Sequence, residues 1–255
     1  MTIIEAPSPN FDERLRPITM IVLHYTGMQD AESAIARLRD PEARVSAHYV
    51  VAEDGTVLRL VEEAKRAWHA GIAKWRDIPD DINSASIEIV NPGHEFGYRP
   101  FPDEQIASVI QLVMRIKDDH QITRGNIVGH SDIATRRKRD PGELFPWGQL
   151  ARLRLALPRP TKNLVDPNWT QGGFLLALER FGYDVTDPMA AIMAFQRRFR
   201  PEMIDGEIDA ECRMILLALL LIPLLHLLRL RTKTVSLIVR LVVEKLLPSV
   251  VLTER

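Results

Sequence analysis

A buried strand is predicted by the sequence ITMIVLHYT, residues 18–26, which is a run of apolar and β-branched side chains. His24 stands near the end of this strand, where chains commonly place ligand-binding side chains. A helix is predicted from about residue 30 to residue 39, because Asp40-Pro41 ends it. A strand that leads into a helix is typical of an α/β domain.

The segments that follow extend this prediction. The stretch VSAHYVVAEDGTVLRLV alternates around Asp54-Gly55 and predicts a β-hairpin. SASIEIV, residues 84–90, predicts another strand, and residues 102–120 show the spacing of a helix with one apolar face. Together these elements predict an α/β domain over residues 1–158.

Composition divides the remainder of the chain. The Pro-rich segment around residues 159–169 predicts a linker, residues 170–220 predict a small all-α domain, and residues 221–255 form a Leu-rich tail. The apolar run over residues 214–228 is interrupted by Pro223 and His226 and is shorter than the ~18–20 apolar residues that span a bilayer. A buried or interfacial helix, a membrane contact and a poorly packed extension stay open for this tail.

Charge and cysteine content exclude several classes of protein. The 255 residues contain 33 Lys+Arg and 34 Asp+Glu, which gives a formal net charge of −1. The chain as a whole therefore has no positive electrostatic field that would attract nucleic acid. A single cysteine, Cys212, excludes a disulfide framework and a cysteine-rich zinc site. The N-terminus shows no secretory signal, so we expect a cytoplasmic monomer, with the cell envelope as the alternative if the true start lies upstream.

Two histidines and one aspartate could form a metal site. His24 and His130 both follow apolar strand-like segments, and Asp140 comes ten residues after His130. Two neutral imidazoles and one carboxylate can hold zinc with one coordination position open, which lowers the pKa of a bound water. Taken alone, the spacing leaves open that these histidines simply bond to the backbone.

Further motifs carry a resemblance to a known family. The segments VLHYT, VSAHYVVAEDG, AWHAG, SIEIVNPG and GHSDIATRRKRDPGELFPW occur in this order. Over residues 15–155 the chain resembles the type 2 N-acetylmuramoyl-L-alanine amidases. The resemblance implies a central mixed β-sheet flanked by helices, and zinc-dependent hydrolysis of the amide bond between N-acetylmuramic acid and L-alanine. It also implies His24, His130 and Asp140 as the zinc ligands.

The same resemblance implies two catalytic residues. Glu88 would move protons to and from the reacting water and the leaving amine, and Lys138 would stabilise the oxyanion. The family commonly has two more residues between an asparagine and this glutamate. A change of two residues keeps the alternation of a strand, so Glu88 still points to the same face.

Five residues are candidate substrate contacts, through aromatic packing or hydrogen bonds to the peptide stem. Ordinary packing and turn formation are the alternatives for each of them. They are Trp68, His69, Trp75, Asn83 and Asn91.

The second domain resembles the three-helix peptidoglycan-binding modules of bacterial amidases. The resemblance rests on FLLALERFGYDV, AAIMAFQRRF and DGEIDAECRMILLAL, and a plain helical domain with an apolar core is the alternative. For the whole chain, the alternative functions are a non-catalytic module that binds muropeptide and a membrane-attached assembly factor. Whether the substrate is an anhydro-muropeptide or polymeric peptidoglycan is left open.

Overall fold

The computed structural model describes residues 2–78, 84–162 and 164–228. Contacts divide the chain into two compact units, residues 1–158 and residues 159–255.

A mixed β-sheet forms the centre of the first unit. The strands among the described residues are β1 Ile3–Glu5, β2 Phe11–Glu13, β3 Met20–Tyr25, β4 Tyr49–Val51, β5 Val57–Arg59, β6 Lys65–Ala67, β7 Ser84–Ile89 and β8 Ile127–Gly129. Six of them form this sheet in the order β1-β5-β4-β7-β3-β8, and a separate antiparallel pair joins β2 and β6. All neighbours in the six-stranded sheet are parallel except β4 and β5, which form the predicted hairpin around Asp54-Gly55.

Helices lie on both faces of this sheet. The longest one in the first unit packs its apolar face on β3, β4 and β7. A shorter helix near the N-terminus starts at Asp30, whose carboxylate accepts a hydrogen bond from the Ser33 backbone, and packs on the opposite face. These elements confirm the predicted central sheet flanked by helices. The helices of this unit are α1 Ala31–Arg39, α2 Gly93–Phe96, α3 Asp103–Asp119, α4 His130–Ile133 and α5 Trp147–Arg152.

Strand alternation determines which side chains of β3 and β7 point towards α3. Leu23 of β3 and both Ile87 and Ile89 of β7 belong to the apolar cluster under α3. Because successive strand residues point to opposite faces, His24 and Glu88 point to the other side of the sheet. The hydrophobic core therefore sets the direction of both polar side chains.

The second unit contains three helices among its described residues: α6 Gln171–Phe181, α7 Pro188–Phe199 and α8 Ala210–Leu228. Buried aromatic rings pack between them, with Phe174 and Phe195 at a centroid separation of 5.9 Å. Arg200, only 1% exposed, pairs with Asp205 and Asp209 after α7. This arrangement is the small all-α unit that the sequence predicts, and its likeness to a peptidoglycan-binding module stays a prediction.

The Leu-rich tail is described only in part. The backbone of α8 continues through Pro223, so this proline does not end the helix. No helix of the described part of the chain combines the length and apolar character needed to cross a membrane. Residues 229–255 lie outside the described residues, and a membrane contact through this tail stays a prediction.

Candidate active site

His24 and Glu88 lie side by side on the two central strands. The register of β3 and β7 pairs these two residues directly. Their side chains share one face of the sheet, and Nδ1 of His24 lies 3.9 Å from Oε1 of Glu88. The change of two residues before the glutamate has therefore not turned it to the other face.

His130 and Asp140 reach the same point from the neighbouring strand. β8 pairs with β3, and His130 follows directly as the first residue of α4. The Ser131 backbone N–H donates to the Asp140 carbonyl at 2.8 Å, which holds the aspartate segment against α4. Gly129 permits this approach, because a Cβ there would lie 2.7 Å from Cδ of Pro141.

Three buried ligand atoms converge at this point. The Nδ1 atoms of His24 and His130 are 2.9 Å apart, and each lies 3.1 Å from Oδ2 of Asp140. In a tetrahedral zinc site with bonds of about 2.0–2.1 Å, ligand atoms are separated by about 3.3–3.4 Å. The nitrogen, nitrogen, oxygen donor set and its spacing therefore fit a metal ion such as zinc.

The electrostatics of the site favour metal-binding protonation states. Burial and the neighbouring His130 lower the pKa of His24 to about 4, so its imidazole is neutral at pH 7. Burial alone would raise the pKa of Asp140, but the two imidazoles outweigh it and hold that pKa well below its ordinary value. A neutral imidazole and a carboxylate are the forms that bind a cation.

Glu88 has the opposite electrostatic character. Burial, followed by the nearby Asp140 carboxylate, raises the pKa of Glu88 well above its ordinary value, although Lys138 opposes the shift. Its Oε2 atom is buried without a hydrogen-bond partner among the described residues. A carboxyl group of this kind can hold a proton near neutral pH and release it to a group that enters the cavity.

A cavity of about 360 Å³ opens over these residues. His24, Glu88, His130 and Asp140 line its floor together with Lys138. Three arginines and Glu95 also line it, so cationic side chains outnumber the carboxyl groups in the cavity wall only slightly. The arginines are Arg37, Arg137 and Arg139.

The predicted substrate contacts are placed differently from one another. Trp68 and His69 line the cavity. Trp75 is only 2% exposed and packs in the interior, so the structure does not bring it to the cavity wall. Asn91 is 1% exposed, and its side chain bonds to the Arg99 carbonyl and the Gly93 backbone N–H, as in the alternative of a turn former. Asn83 lies outside the described residues.

His69 also makes a contact that sequence reasoning missed. Its Nδ1 lies 3.0 Å from Nε2 of His24, and its Nε2 lies 2.8 Å from Oγ of Ser84. Burial and the adjacent His24 hold the pKa of His69 well below its ordinary value, so the ring is neutral.

Another group on the cavity wall escaped sequence reasoning. The Tyr25 hydroxyl lies 2.8 Å from Nδ1 of His94, whose Nε2 lies 3.2 Å from the Glu143 carboxylate. The His94 ring stacks on Tyr98 at a centroid distance of 4.5 Å. The position of Tyr25 beside His24 was a usable signal, whereas nothing local in the sequence connects His94 or Glu143 to β3.

Comparisons with known proteins show a family to which the chain is similar. The profile of the family described as N-acetylmuramoyl-L-alanine amidase matches residues 14–143. The N-acetylmuramoyl-L-alanine amidase AmiD of Escherichia coli is 37% identical over 234 residues, which cover 80% of this chain and 82% of that protein. The 1,6-anhydro-N-acetylmuramyl-L-alanine amidase AmpD of Haemophilus influenzae is 32% identical over 160 residues, covering 55% of this chain and 85% of that protein.

Solved structures show the same similarity. AmiD from E. coli in complex with the substrate anhydro-N-acetylmuramic acid-L-Ala-D-γ-Glu-L-Lys superposes with a TM-score of 0.71 at 34% identity, covering 83% of this chain and 97% of that one. AmpDh3 from Pseudomonas aeruginosa in complex with anhydromuramic pentapeptide superposes with a TM-score of 0.68 at 30% identity, covering 79% of this chain and 90% of that one.

Proposed function

Because the chain belongs to the N-acetylmuramoyl-L-alanine amidase family, we propose that it hydrolyses the bond between muramic acid and L-alanine with a zinc ion held by His24, His130 and Asp140. The substrate is a muropeptide, in which the muramic acid is present in its ordinary or its 1,6-anhydro form. The observation that carries the proposal is the convergence of three buried ligand atoms beside a carboxyl oxygen of Glu88 that has no hydrogen-bond partner in the described part of the chain.

The metal ligands have a defined task in this proposal. Three protein ligands leave one position for water or substrate, which is the arrangement of catalytic rather than structural zinc sites. When bound, zinc acts as a Lewis acid that activates water and polarises the substrate carbonyl. The neutral His24 and the ionised Asp140 are ready to bind it without losing a proton.

Glu88 carries the proton in the proposed mechanism. Its carboxyl group lies beside His24 and lines the cavity that would hold the reacting water and the scissile amide. As a carboxylate it accepts the proton of the attacking water, and as an acid it delivers this proton to the leaving nitrogen of L-alanine. The raised pKa of Glu88 favours the second step, because it keeps the proton available near neutral pH.

Lys138 supplies positive charge to the reacting carbonyl. Its ammonium lines the cavity, two residues before Asp140, and acts on the charges of both Glu88 and His24. A fixed cation beside the carbonyl oxygen stabilises the negative charge that develops when the tetrahedral intermediate forms.

A digest of purified muropeptides tests the proposal. The chain is incubated with anhydro-muropeptide and with the non-anhydro form, separately, and the products are identified by mass spectrometry. We expect a free peptide that begins with L-alanine and a free muramic acid residue, and we expect loss of both products with chelator and their return with added zinc. Binding of intact muropeptide without cleavage would instead support the non-catalytic recognition module.

A parallel digest of intact peptidoglycan separates the remaining alternatives for the substrate class, anhydro-muropeptide and polymeric peptidoglycan. Both solved complexes of relatives contain an anhydromuramyl peptide. We propose that this chain likewise cleaves soluble anhydro-muropeptide. Faster release of peptide from intact peptidoglycan than from anhydro-muropeptide would overturn this choice and leave the amidase activity standing.

A further inference from the structure

Two consecutive residues, His69 and Ala70, contact the two histidines of the proposed metal site on the side opposite the other ligands. Nε2 of His24 lies 3.0 Å from Nδ1 of His69, and Nε2 of His130 lies 3.2 Å from the carbonyl oxygen of Ala70. In both histidines this is the nitrogen opposite the one that faces the other ligands. The segment around residues 69–70 therefore contacts both imidazole rings through their Nε2 atoms.

The direction of each hydrogen bond follows from the chemistry of metal binding. An imidazole that binds a metal through Nδ1 must use the lone pair there, so its proton stays on Nε2. Nε2–H of His130 then donates to the Ala70 carbonyl. Nε2–H of His24 donates to Nδ1 of His69, which leaves the His69 proton on Nε2, where it donates to Oγ of Ser84 at 2.8 Å.

Other contacts hold this segment in place. The Arg137 guanidinium donates to the Ala70 carbonyl at 3.1 Å and to the Ile72 carbonyl at 2.5 Å. Gly71, between them, has a φ of 59°, in the left-handed region that favours glycine. The Ser46 hydroxyl accepts a hydrogen bond from the Trp68 backbone N–H at 2.8 Å. Nδ1 of His69 and the Ala70 carbonyl therefore belong to a segment that several hydrogen bonds hold in place.

We propose that His69 and the Ala70 carbonyl are positioning groups for the metal site, which fix the ring orientation and the protonated nitrogen of both histidine ligands. His69 then acts through His24 rather than as the substrate contact that its sequence motif predicts. This inference rests on the proposed zinc site. Partners of this kind typically contribute 10–100-fold to metal affinity.

Zinc affinity of the full chain, measured by competition with a chromophoric chelator, tests the proposal. His69→Ala removes the acceptor for His24 and should weaken zinc binding about 10–100-fold. His69→Asn places a carbonyl oxygen near the position of Nδ1, so it should restore most of this loss. His120→Ala removes an imidazole that bonds to Glu63 away from the cavity and should leave the affinity unchanged.

Steady-state kinetics at saturating zinc give the second readout. The KM of His69→Ala for muropeptide should stay close to that of the unmodified chain, because the positioning role does not require contact with substrate. Ser84→Ala, which removes the outer partner of His69, should weaken zinc binding by a smaller factor and provides the measurement if His69→Ala does not fold.

Two results would overturn the inference in distinguishable ways. If the unmodified chain binds zinc and both His69→Ala and Ser84→Ala bind it equally tightly, while the KM of His69→Ala rises, His69 is a substrate contact and the proposed function stands. If the unmodified chain itself binds no zinc, the proposed metal site fails and this inference fails with it.

Discussion

Alternation along two neighbouring strands determines which side chains meet at the proposed metal site. Leu23, Ile87 and Ile89 face α3, and their neighbours in the sequence, His24 and Glu88, consequently face the cavity. A shift of either strand by one residue would turn a polar side chain towards α3 and an apolar one towards the cavity. The packing of the core and the geometry of the site are thus two results of the same register.

The three metal ligands should be individually indispensable. His24→Ala, His130→Ala and Asp140→Ala should each lose bound zinc and hydrolysis, because a site with three protein ligands retains too few donors after one is removed. Elemental analysis of the purified variants measures the zinc, with His120→Ala as a control that keeps it. Stoichiometric zinc in any of the three variants would remove that residue from the site.

Glu88 and Lys138 should affect turnover without affecting the metal. Glu88→Gln keeps the shape of the side chain but carries no proton, and should lower kcat by ~10²–10⁴. Lys138→Ala should lower kcat by ~10²–10³, the effect of one lost group that stabilises the oxyanion. Zinc content and KM should change little in both variants.

The control for Lys138→Ala is Arg136→Ala, which removes an exposed cation from the same segment and away from the cavity wall. Its kcat should stay close to that of the unmodified chain. A near-normal kcat for Glu88→Gln would place the proton carrier elsewhere and would leave the metal site intact.

At the scale of elements, a partly buried polar cluster joins α3 to the sheet. The Tyr49 hydroxyl donates to Oε1 of Glu63 at 2.6 Å, and Arg115 of α3 donates to the same oxygen at 3.0 Å. His120, which follows α3, bonds to Oε2 of Glu63. One carboxylate between β5 and β6 therefore ties β4 to both the end and the body of α3.

Glu63 should make stability depend on pH. Burial alone would raise the pKa of Glu63, but hydrogen bonds from Tyr49 and His120 and the charge of Arg115 lower it below its ordinary value. A carboxylate with a lowered pKa in the folded state stabilises the fold above its unfolded pKa, and this contribution is lost as the pH falls through the folded pKa. Glu63→Gln should therefore cost about 1–3 kcal/mol at pH 7, and much less at a pH below the lowered pKa that Glu63 has in the folded state.

Urea unfolding at the two pH values measures this difference. Glu53→Gln is the control, because Glu53 is paired with Arg99 at 2.7 Å on the exposed surface. Such pairs contribute about 0–1 kcal/mol, so this variant should change little at either pH. A loss for Glu63→Gln that is equal at both pH values would show that the ionised form is not what stabilises the cluster.

At the scale of the whole molecule, the residues of the proposed metal site all belong to the first unit. Its proposed ligands come from β3, from α4 and from the segment after α4, so that His24 stands more than 100 residues before the other two. A ligand that binds the folded state and not the unfolded state stabilises the fold by mass action. Zinc should therefore hold these distant parts of residues 1–158 together.

Added zinc should raise the melting temperature of the first unit. At a free concentration of about 100 times Kd, binding contributes about 2.7 kcal/mol, which corresponds to a rise of about 5–10 °C for a unit of this size. Differential scanning calorimetry of the full chain with zinc and with chelator measures the shift. Asp140→Ala should show no shift, and an equal shift in that variant would show that zinc acts at another place.

The sequence by itself determined several of the main elements and the chemistry that their residues could carry. Strand 18–26, the hairpin around Asp54-Gly55 and the helix over residues 102–120 follow from local patterns of apolar residues, and all three are present. The motifs around His24, His130 and Asp140 likewise predicted the donor set that converges in the structure. Local alternation was also enough to predict the direction of Glu88.

Only the tertiary structure decided which of these residues are neighbours. The sheet order places β3 between β7 and β8, which brings His24 beside both Glu88 and His130. The tertiary structure also placed His69 in contact with His24, Trp75 in the interior and His94 beside Tyr25. Such contacts depend on strand order and on the packing of distant segments. Periodicity in a sequence, in contrast, predicts only which face of its own strand or helix a residue lies on.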